Sequence, residues 1–154
     1  MIKAALFDLD GVVFETESQY TVFWGTIGKE YHPELPDFAH RIKGQTLVQI
    51  YDKYFSSEAT FAHIEGYTDP KTEQAKITAR LDAFERNMSY PYIAGFENFV
   101  KDLRAHGVKC AVVTSSNMVK MRNVYEQHPE FKSYFERVLT SEDFAKSKPD
   151  PDCY

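Results

Sequence analysis

The chain is poor in cysteine, in charge of one sign and in long apolar runs, and each shortage excludes something. Its 154 residues include only two cysteines, Cys110 and Cys153. That is too few for a disulfide framework, and Cys110 lies in an apolar, strand-like run. A reduced, cytoplasmic protein is expected. No basic block stands out against the net charge of −5, so nucleic acid is not an expected partner. The only apolar stretch near the N-terminus is interrupted by Asp8 and Asp10, which is not the pattern of a signal peptide. No run approaches the ~20 apolar residues of a membrane span, and internal repeats and low-complexity tracts are lacking. What remains, 43% hydrophobic and 27% charged residues, is the composition of a soluble globular protein. The length suits one domain, or one domain with a small insertion.

Aromatic residues are abundant by contrast, with 12 Phe and 10 Tyr beside a single Trp. Many fall between residues 14 and 96. Packing between helices is the expected cause; a substrate-facing aromatic surface is the alternative.

Strand signals occur at residues 2–7 and 108–114, with a weaker one at 137–140. The apolar run 4–7 reads as a buried strand. Residues 118–127 lack breakers and suit a helix. Before the second strand, Phe96, Phe99, Val100 and Leu103 fall at helical spacing, with Gly107 as a stop signal. Strands alternating with helices imply βαβ units and a parallel sheet. Residues 16–88 differ: they are helix-rich with no convincing strand. Asp69-Pro70 is a helix start, Asp as N-cap and Pro in the first turn, followed by a stripe of Ile77, Leu81, Phe84 and Met88. Residues 45–55 offer Leu47 or Val48, Tyr51 and Phe55 at similar spacing. The expected architecture is therefore α/β: a Rossmann-like parallel core, residues 1–15 and 89–154, with an all-helical module, residues 16–88, inserted after the first strand.

Three separated signals point to one sheet edge. Asp8-x-Asp10-Gly11 ends the first strand, and the edge beyond the C-terminal ends of parallel strands is where open α/β sheets bind ligands. Two carboxylates there repel each other by about 4 kcal/mol at ~4 Å and an effective dielectric near 20. A cation is expected between them, and Mg²⁺ is the natural hard ion. Thr114-Ser115-Ser116-Asn117 ends the second strand in hydroxyls at a helix start, a ready anion site. Ser147-Lys148-Pro149-Asp150-Pro151 holds a lysine between restricted backbone positions. Each signal alone has a plainer reading: a polar turn or part of a calcium loop, an N-cap, and a solvated lysine. An EF-hand, however, needs another acid or amide before its glycine, and Gly11 follows Asp10 directly. Acids, hydroxyls and a lysine at successive strand ends make a constellation suited to phosphoryl transfer.

Asp8-Leu9-Asp10-Gly11-Val12-Val13, the strand ending at Thr114, and Ser147-Lys148-Pro149-Asp150-Pro151 resemble the first three motifs of the haloacid dehalogenase superfamily. The nearest branch comprises phosphatases and β-phosphoglucomutases with a helical cap inserted after the first strand. The resemblance implies that Asp8 is the nucleophile, forming an aspartyl phosphate, and that Asp10 is the general acid/base. It implies further that Thr114 and Ser115 bind the phosphoryl group and that Lys148 neutralises charge. Mg²⁺ would be held by the Asp8 carboxylate and the Asp10 backbone carbonyl. The cap would close over the site and select the substrate, a small phosphorylated metabolite, with Lys43 the first candidate contact. Glu15, Glu17, Tyr20, Trp24, Gly44, Gln45 and Thr46 are the others; for each, ordinary surface or packing is the alternative.

The chain departs from the pattern in two places. Sugar-phosphate mutases of this kind usually have a histidine near Tyr20 and an arginine near Thr46-Leu47. Their absence favours a Mg²⁺-dependent phosphatase over a β-phosphoglucomutase-like mutase. The family's fourth motif, an acidic pair after the next core strand, has no counterpart before Tyr154. A fragment of a longer protein is expected, C-terminally truncated, with an open edge beside residues 2–7 and weak turnover on its own. A non-catalytic remnant or binding module is the third reading.

Overall fold

The computed structural model describes residues 2–146 and 148–154. In chain order its elements are β1 (Ala4–Phe7), α1 (Glu17–Tyr31), α2 (Phe38–Arg41), α3 (Leu47–Tyr54), α4 (Pro70–Asn87), α5 (Phe96–Ala105), β2 (Lys109–Val113), α6 (Met118–Gln127) and β3 (Arg137–Leu139), with short 3₁₀ turns between. They divide into two compact units, Met1–Glu17 with Ser89–Tyr154, and Ser18–Met88. The second is thus inserted in the sequence of the first, and Thr16 and Glu17 fall with the first unit.

In the first unit the three strands pair in parallel in the order β1-β2-β3. Strand β2 is β-branched at Val112 and Val113, which suits the centre of a sheet. Helix α5 is bounded by glycines at positive φ, Gly95 at 84° and Gly107 at 75°. Helix α6 starts at Asn117, whose side chain accepts the Lys120 N–H at 3.0 Å. The register decides where the strand ends fall. Phe7 lies opposite Val112, and Val113 opposite Leu139, so the three strands end level and the residues after them share one edge. Phe14, Val100, Val112, Met121, Val124 and Phe131 form the buried interior. The Phe14 ring stacks against Tyr92 at 4.7 Å and Phe131 at 5.5 Å between centroids.

The expectation of a buried first strand is corrected. Ala4 and Leu6 are exposed and Ala5 and Phe7 half-buried, because β1 pairs only with β2 among the described residues. Ile2 and Leu6 remain 74% and 49% exposed. Phe99, although at helical spacing, is also largely exposed and meets Phe7 edge-on.

The inserted unit is all helical. Asp69 caps α4 by accepting the Thr72 N–H at 3.0 Å, with Pro70 at the first helical position. Thr46 and Gln49 form a reciprocal capping box at α3. The interior is strongly aromatic: Trp24, Tyr31, Phe38, Phe55 and Phe61 gather around Ile27, Ile50 and Ile77. Packing between helices thus accounts for these aromatics. On α3 Ile50 is buried, and Leu47, Tyr51 and, just past its end, Phe55 pack into the same core as expected, whereas Val48, the alternative to Leu47, points out at 68% exposure. Gly28 of α1 is where Phe38 crosses: a β-carbon there would sit 2.7 Å from Phe38 Cβ.

Candidate active site

After β1 the backbone turns back tightly. The Gly11 N–H donates to Phe14 O at 2.8 Å and the Val13 N–H to Leu9 O at 2.9 Å. Gly11 adopts φ 73°, a left-handed conformation that a side chain disfavours. A β-carbon there would also press on Glu17 Cγ at 2.9 Å. Leu9 is fully buried, so the aspartates on either side of it are carried to the sheet edge by a rigid loop.

The two carboxylates meet different surroundings. Asp8 is half-exposed, and its described hydrogen bonds all fall on Oδ1: the Leu9 N–H at 2.8 Å and the Lys148 ammonium at 2.8 Å. Oδ2 has no hydrogen-bond partner among the described residues. Lys148 Nζ also donates to Val113 O at 3.3 Å, tying its loop to the end of β2. Ser147, beside it, lies outside the described residues.

Asp10 is engaged on both oxygens. Lys120 Nζ lies 2.5 Å from Oδ1 and 2.7 Å from Oδ2. The Thr16 hydroxyl donates to Oδ1 at 2.5 Å and the Ser116 hydroxyl to Oδ2 at 3.1 Å. The Lys120 side chain is only 2% exposed. Burial pushes the Asp10 carboxyl up, but the adjacent ammonium and the two hydroxyl donors outweigh it and hold the group below its ordinary value. The like-charge repulsion foreseen between the aspartates is therefore answered by two ammonium groups, one for each carboxylate.

Beyond β2, Thr114 is buried and its Oγ1 accepts the Ser116 N–H at 3.1 Å. Ser115 Oγ is buried with no hydrogen-bond partner among the described residues. A hydroxyl left this way at a helix start suits an incoming anion. Glu142 accepts the Met118 N–H at 3.1 Å, occupying one first-turn donor of α6.

Of the residues singled out from sequence, Asp8, Asp10, Thr114, Ser115 and Lys148 thus assemble at one edge of the first unit. Lys43 lies in the inserted unit, exposed beside Gly44 in the turn between α2 and α3. Trp24, considered as a substrate contact, is 7% exposed in that unit's core. Tyr20 donates its hydroxyl to Glu85 at 2.6 Å, Gln45 its amide to Arg41 O, and Thr46 caps α3. Glu15 is exposed, and Glu17 opens α1. Sequence reasoning missed Lys120, Thr16 and the role of Ser116. The signal for Lys120 was present: a lysine beside Met121 and one turn before Val124, on the face that faces the core. No group of three or more His, Cys, Asp or Glu among the described residues is placed to hold a metal. No described helix is long and apolar enough to cross a membrane.

Comparison with known proteins bears on the family and the fold. A bifunctional riboflavin kinase/FMN phosphatase of Arabidopsis thaliana is 23% identical over 99% of this chain and 38% of its own length. A probable pseudouridine-5′-phosphatase of Saccharomyces cerevisiae is 28% identical over 99% of this chain and 64% of its own. The chain therefore spans well under two thirds of the first and just under two thirds of the second. Among solved structures, β-phosphoglucomutase from Clostridium difficile superposes with a TM-score of 0.72 at 17% identity, covering 99% of this chain and 68% of that one. At that identity the likeness speaks for the fold. Residues 5–154 match the sequence profile of the haloacid dehalogenase-like hydrolases, and the chain belongs to that family.

Proposed function

We propose that the protein is a phosphatase acting on a small phosphorylated metabolite through an aspartyl phosphate on Asp8. The observation that carries this reading is the asymmetry of the two aspartates. Asp8 is half-exposed, fixed through Oδ1 by a lysine and a backbone N–H, and unengaged at Oδ2 among the described residues. Asp10 is enclosed and held at both oxygens. The first is arranged as a nucleophile and the second as a group that handles protons.

A carboxylate attacks a phosphate dianion only where fixed positive charge offsets their repulsion. Lys148 supplies one such charge 2.8 Å from Asp8. Thr114 and Ser115, with the N–H groups leading into α6, receive the phosphoryl oxygens. Asp8 Oδ2 attacks phosphorus, and the bond to the ester oxygen breaks as Asp10, in the protonated form this step requires, delivers its proton to that oxygen. Asp10 then takes a proton from the water that attacks the aspartyl phosphate, freeing inorganic phosphate and restoring Asp8.

The Asp8 carboxylate and the Asp10 backbone carbonyl are the donors proposed to hold Mg²⁺. Two protein oxygens suit an ion that keeps several waters and takes substrate phosphate oxygens as further ligands. When bound, the ion would neutralise phosphate charge. The first unit is proposed to carry the chemistry and the inserted helical unit to select the substrate.

The test is hydrolysis of p-nitrophenyl phosphate and a panel of sugar phosphates, with Mg²⁺ and with EDTA, beside Asp8→Asn. Release of inorganic phosphate that needs both Mg²⁺ and Asp8, with an acid-quenched phosphopeptide containing residue 8, is the expected result. Isomerised sugar phosphate in place of inorganic phosphate would point to a mutase. A folded wild-type protein with no Asp8-dependent turnover would end the phosphatase reading.

A further inference from the structure

Resting on the phosphoryl chemistry above, we propose that Lys120 is a positioning residue: its buried ammonium holds the Asp10 carboxylate in the one orientation that serves the leaving oxygen and the water. The juxtaposition is specific. Lys120 comes from the first turn of α6, Thr16 from the segment before α1, and Ser116 from the loop between β2 and α6. These three separate places in the chain converge on one carboxylate, and contact at both oxygens leaves it no free rotation about χ2. Nothing comparable among the described residues restrains Asp8, whose contacts are confined to Oδ1.

Energetic reasoning favours a role for the charge itself. Lys120 shares its buried face with Met121 and Val124. A methionine at position 120 would suit those neighbours and would not require an ammonium to be stripped of water, a change that costs several kcal/mol. A buried lysine adds little to a sheet edge unless a group it contacts must be held, and the group whose two oxygens it spans is the Asp10 carboxylate. Because Lys120 contacts both oxygens, removing it leaves Thr16 and Ser116, one hydroxyl on each oxygen and neither charged. The carboxylate then keeps a neutral donor at each oxygen but loses the group that spans them.

Delivery of a proton matters most where the leaving oxygen is a poor one. An alkoxide needs protonation as the ester bond breaks, whereas p-nitrophenolate leaves without help. A displaced Asp10 therefore reveals itself as a change in leaving-group dependence, which a merely structural defect would not produce. The experiment compares kcat/KM for glycerol 1-phosphate and p-nitrophenyl phosphate in wild type, Asp8→Asn and Lys120→Met. General acid–base catalysis contributes about 10²–10⁴-fold. Lys120→Met is expected to lose ~100-fold on the alkyl ester and at least ~10-fold less on the aryl ester. Equal losses on the two esters, or none, would overturn the positioning role while Asp8-dependent turnover of wild type keeps the phosphatase reading intact. Absence of Asp8-dependent turnover in wild type would overturn both. Should Lys120→Met fail to fold by circular dichroism, Lys120→Gln, which keeps a polar head but removes the charge that spans both oxygens, carries the same comparison, with a selective loss of at least ~10-fold on the alkyl ester expected.

Discussion

The customary probe of such a site is to change each aspartate to asparagine, and the structure says the two changes are not equivalent for stability. Asp8 and Lys148 form a pair hydrated on its carboxylate side, with side chains 46% and 19% exposed. A pair of that kind contributes at most about 1 kcal/mol. Asp10 and Lys120 are 22% and 2% exposed. Asparagine at position 10 keeps an acceptor oxygen but removes the negative charge that faces the buried ammonium. Breaking a buried pair from one side costs about 3–5 kcal/mol, and the retained acceptor places this case near the lower end, ~3 kcal/mol. Lys120→Met in the Asp10→Asn background removes the buried ammonium itself and should recover more than half of the loss. The assay is urea denaturation of wild type, the two Asn variants, Lys120→Met and the double variant. The only tryptophan, Trp24, lies in the inserted unit, so the first unit is followed by far-UV circular dichroism and by hydrogen exchange at the β2 amides. With m near 1–3 kcal/mol/M, the two Asn variants should be separated by at least ~0.7 M in midpoint. Asn variants within ~0.5 kcal/mol of each other, or a double variant no better than Asp10→Asn, would refute the reasoning. A practical corollary is that lost activity in Asp10→Asn has to be judged on folded protein.

Two further predictions concern the fold. Gly25→Ala and Gly28→Ala, three residues apart on α1, should have opposite signs. A β-carbon at Gly25 meets nothing within 4 Å and gains about 0.5–1 kcal/mol of helix propensity. At Gly28 the same gain is overtaken by overpacking of about 1–3 kcal/mol against Phe38 Cβ at 2.7 Å. Denaturation followed by Trp24 fluorescence checks both, and equal signs would contradict the packing of α1 against α2. In alkali, burial and the Glu73 carboxylate push the Tyr31 phenol up to about 12, and burial does the same at Tyr51. A hydrogen bond to Glu97 raises Tyr134 to about 12 as well. Because the folded values are raised, the stability they contribute is fully present below ~10, the ordinary phenol value, and is lost as pH climbs toward 12. A spectrophotometric titration should therefore show these phenols ionising together with unfolding; smooth titration of all ten tyrosines near the ordinary value would refute it.

Legibility in the sequence followed distance along the chain. Helix limits that depend on local chemistry, such as the Asp69-Pro70 start of α4 and the Asn117 start of α6, were open to reading because the cap and the N–H it satisfies lie three residues apart. Asp8, Thr114 and Lys148 were visible because each follows or abuts a strong local signal: a strand end, a hydroxyl run, a proline. Lys120 was not, since its partner is 110 positions away: Met121 and Val124 mark its face as the buried one but do not name the carboxylate it meets. The burial of β1 was misread for a related reason: apolarity says that a strand is wanted inside, whereas its exposure depends on how many neighbours it has. Trp24 is the converse case: the sequence leaves substrate contact and packing both open, and its place in the core near Phe38 answers for packing.

The register of β1 has a consequence for the order of events during synthesis. Its first residue pairs with Lys109, so strand 4–7, made first, has no hydrogen-bonding partner until more than a hundred further residues have been made. The inserted unit, by contrast, is a single continuous stretch, Ser18–Met88, whose internal contacts need nothing made after Met88. Local contacts form early and distant pairings late. The helical unit should therefore be a folded passenger on a chain whose parallel sheet is still unformed, and Asp8 and Asp10 acquire their lysines only when Lys120 and Lys148 have been made.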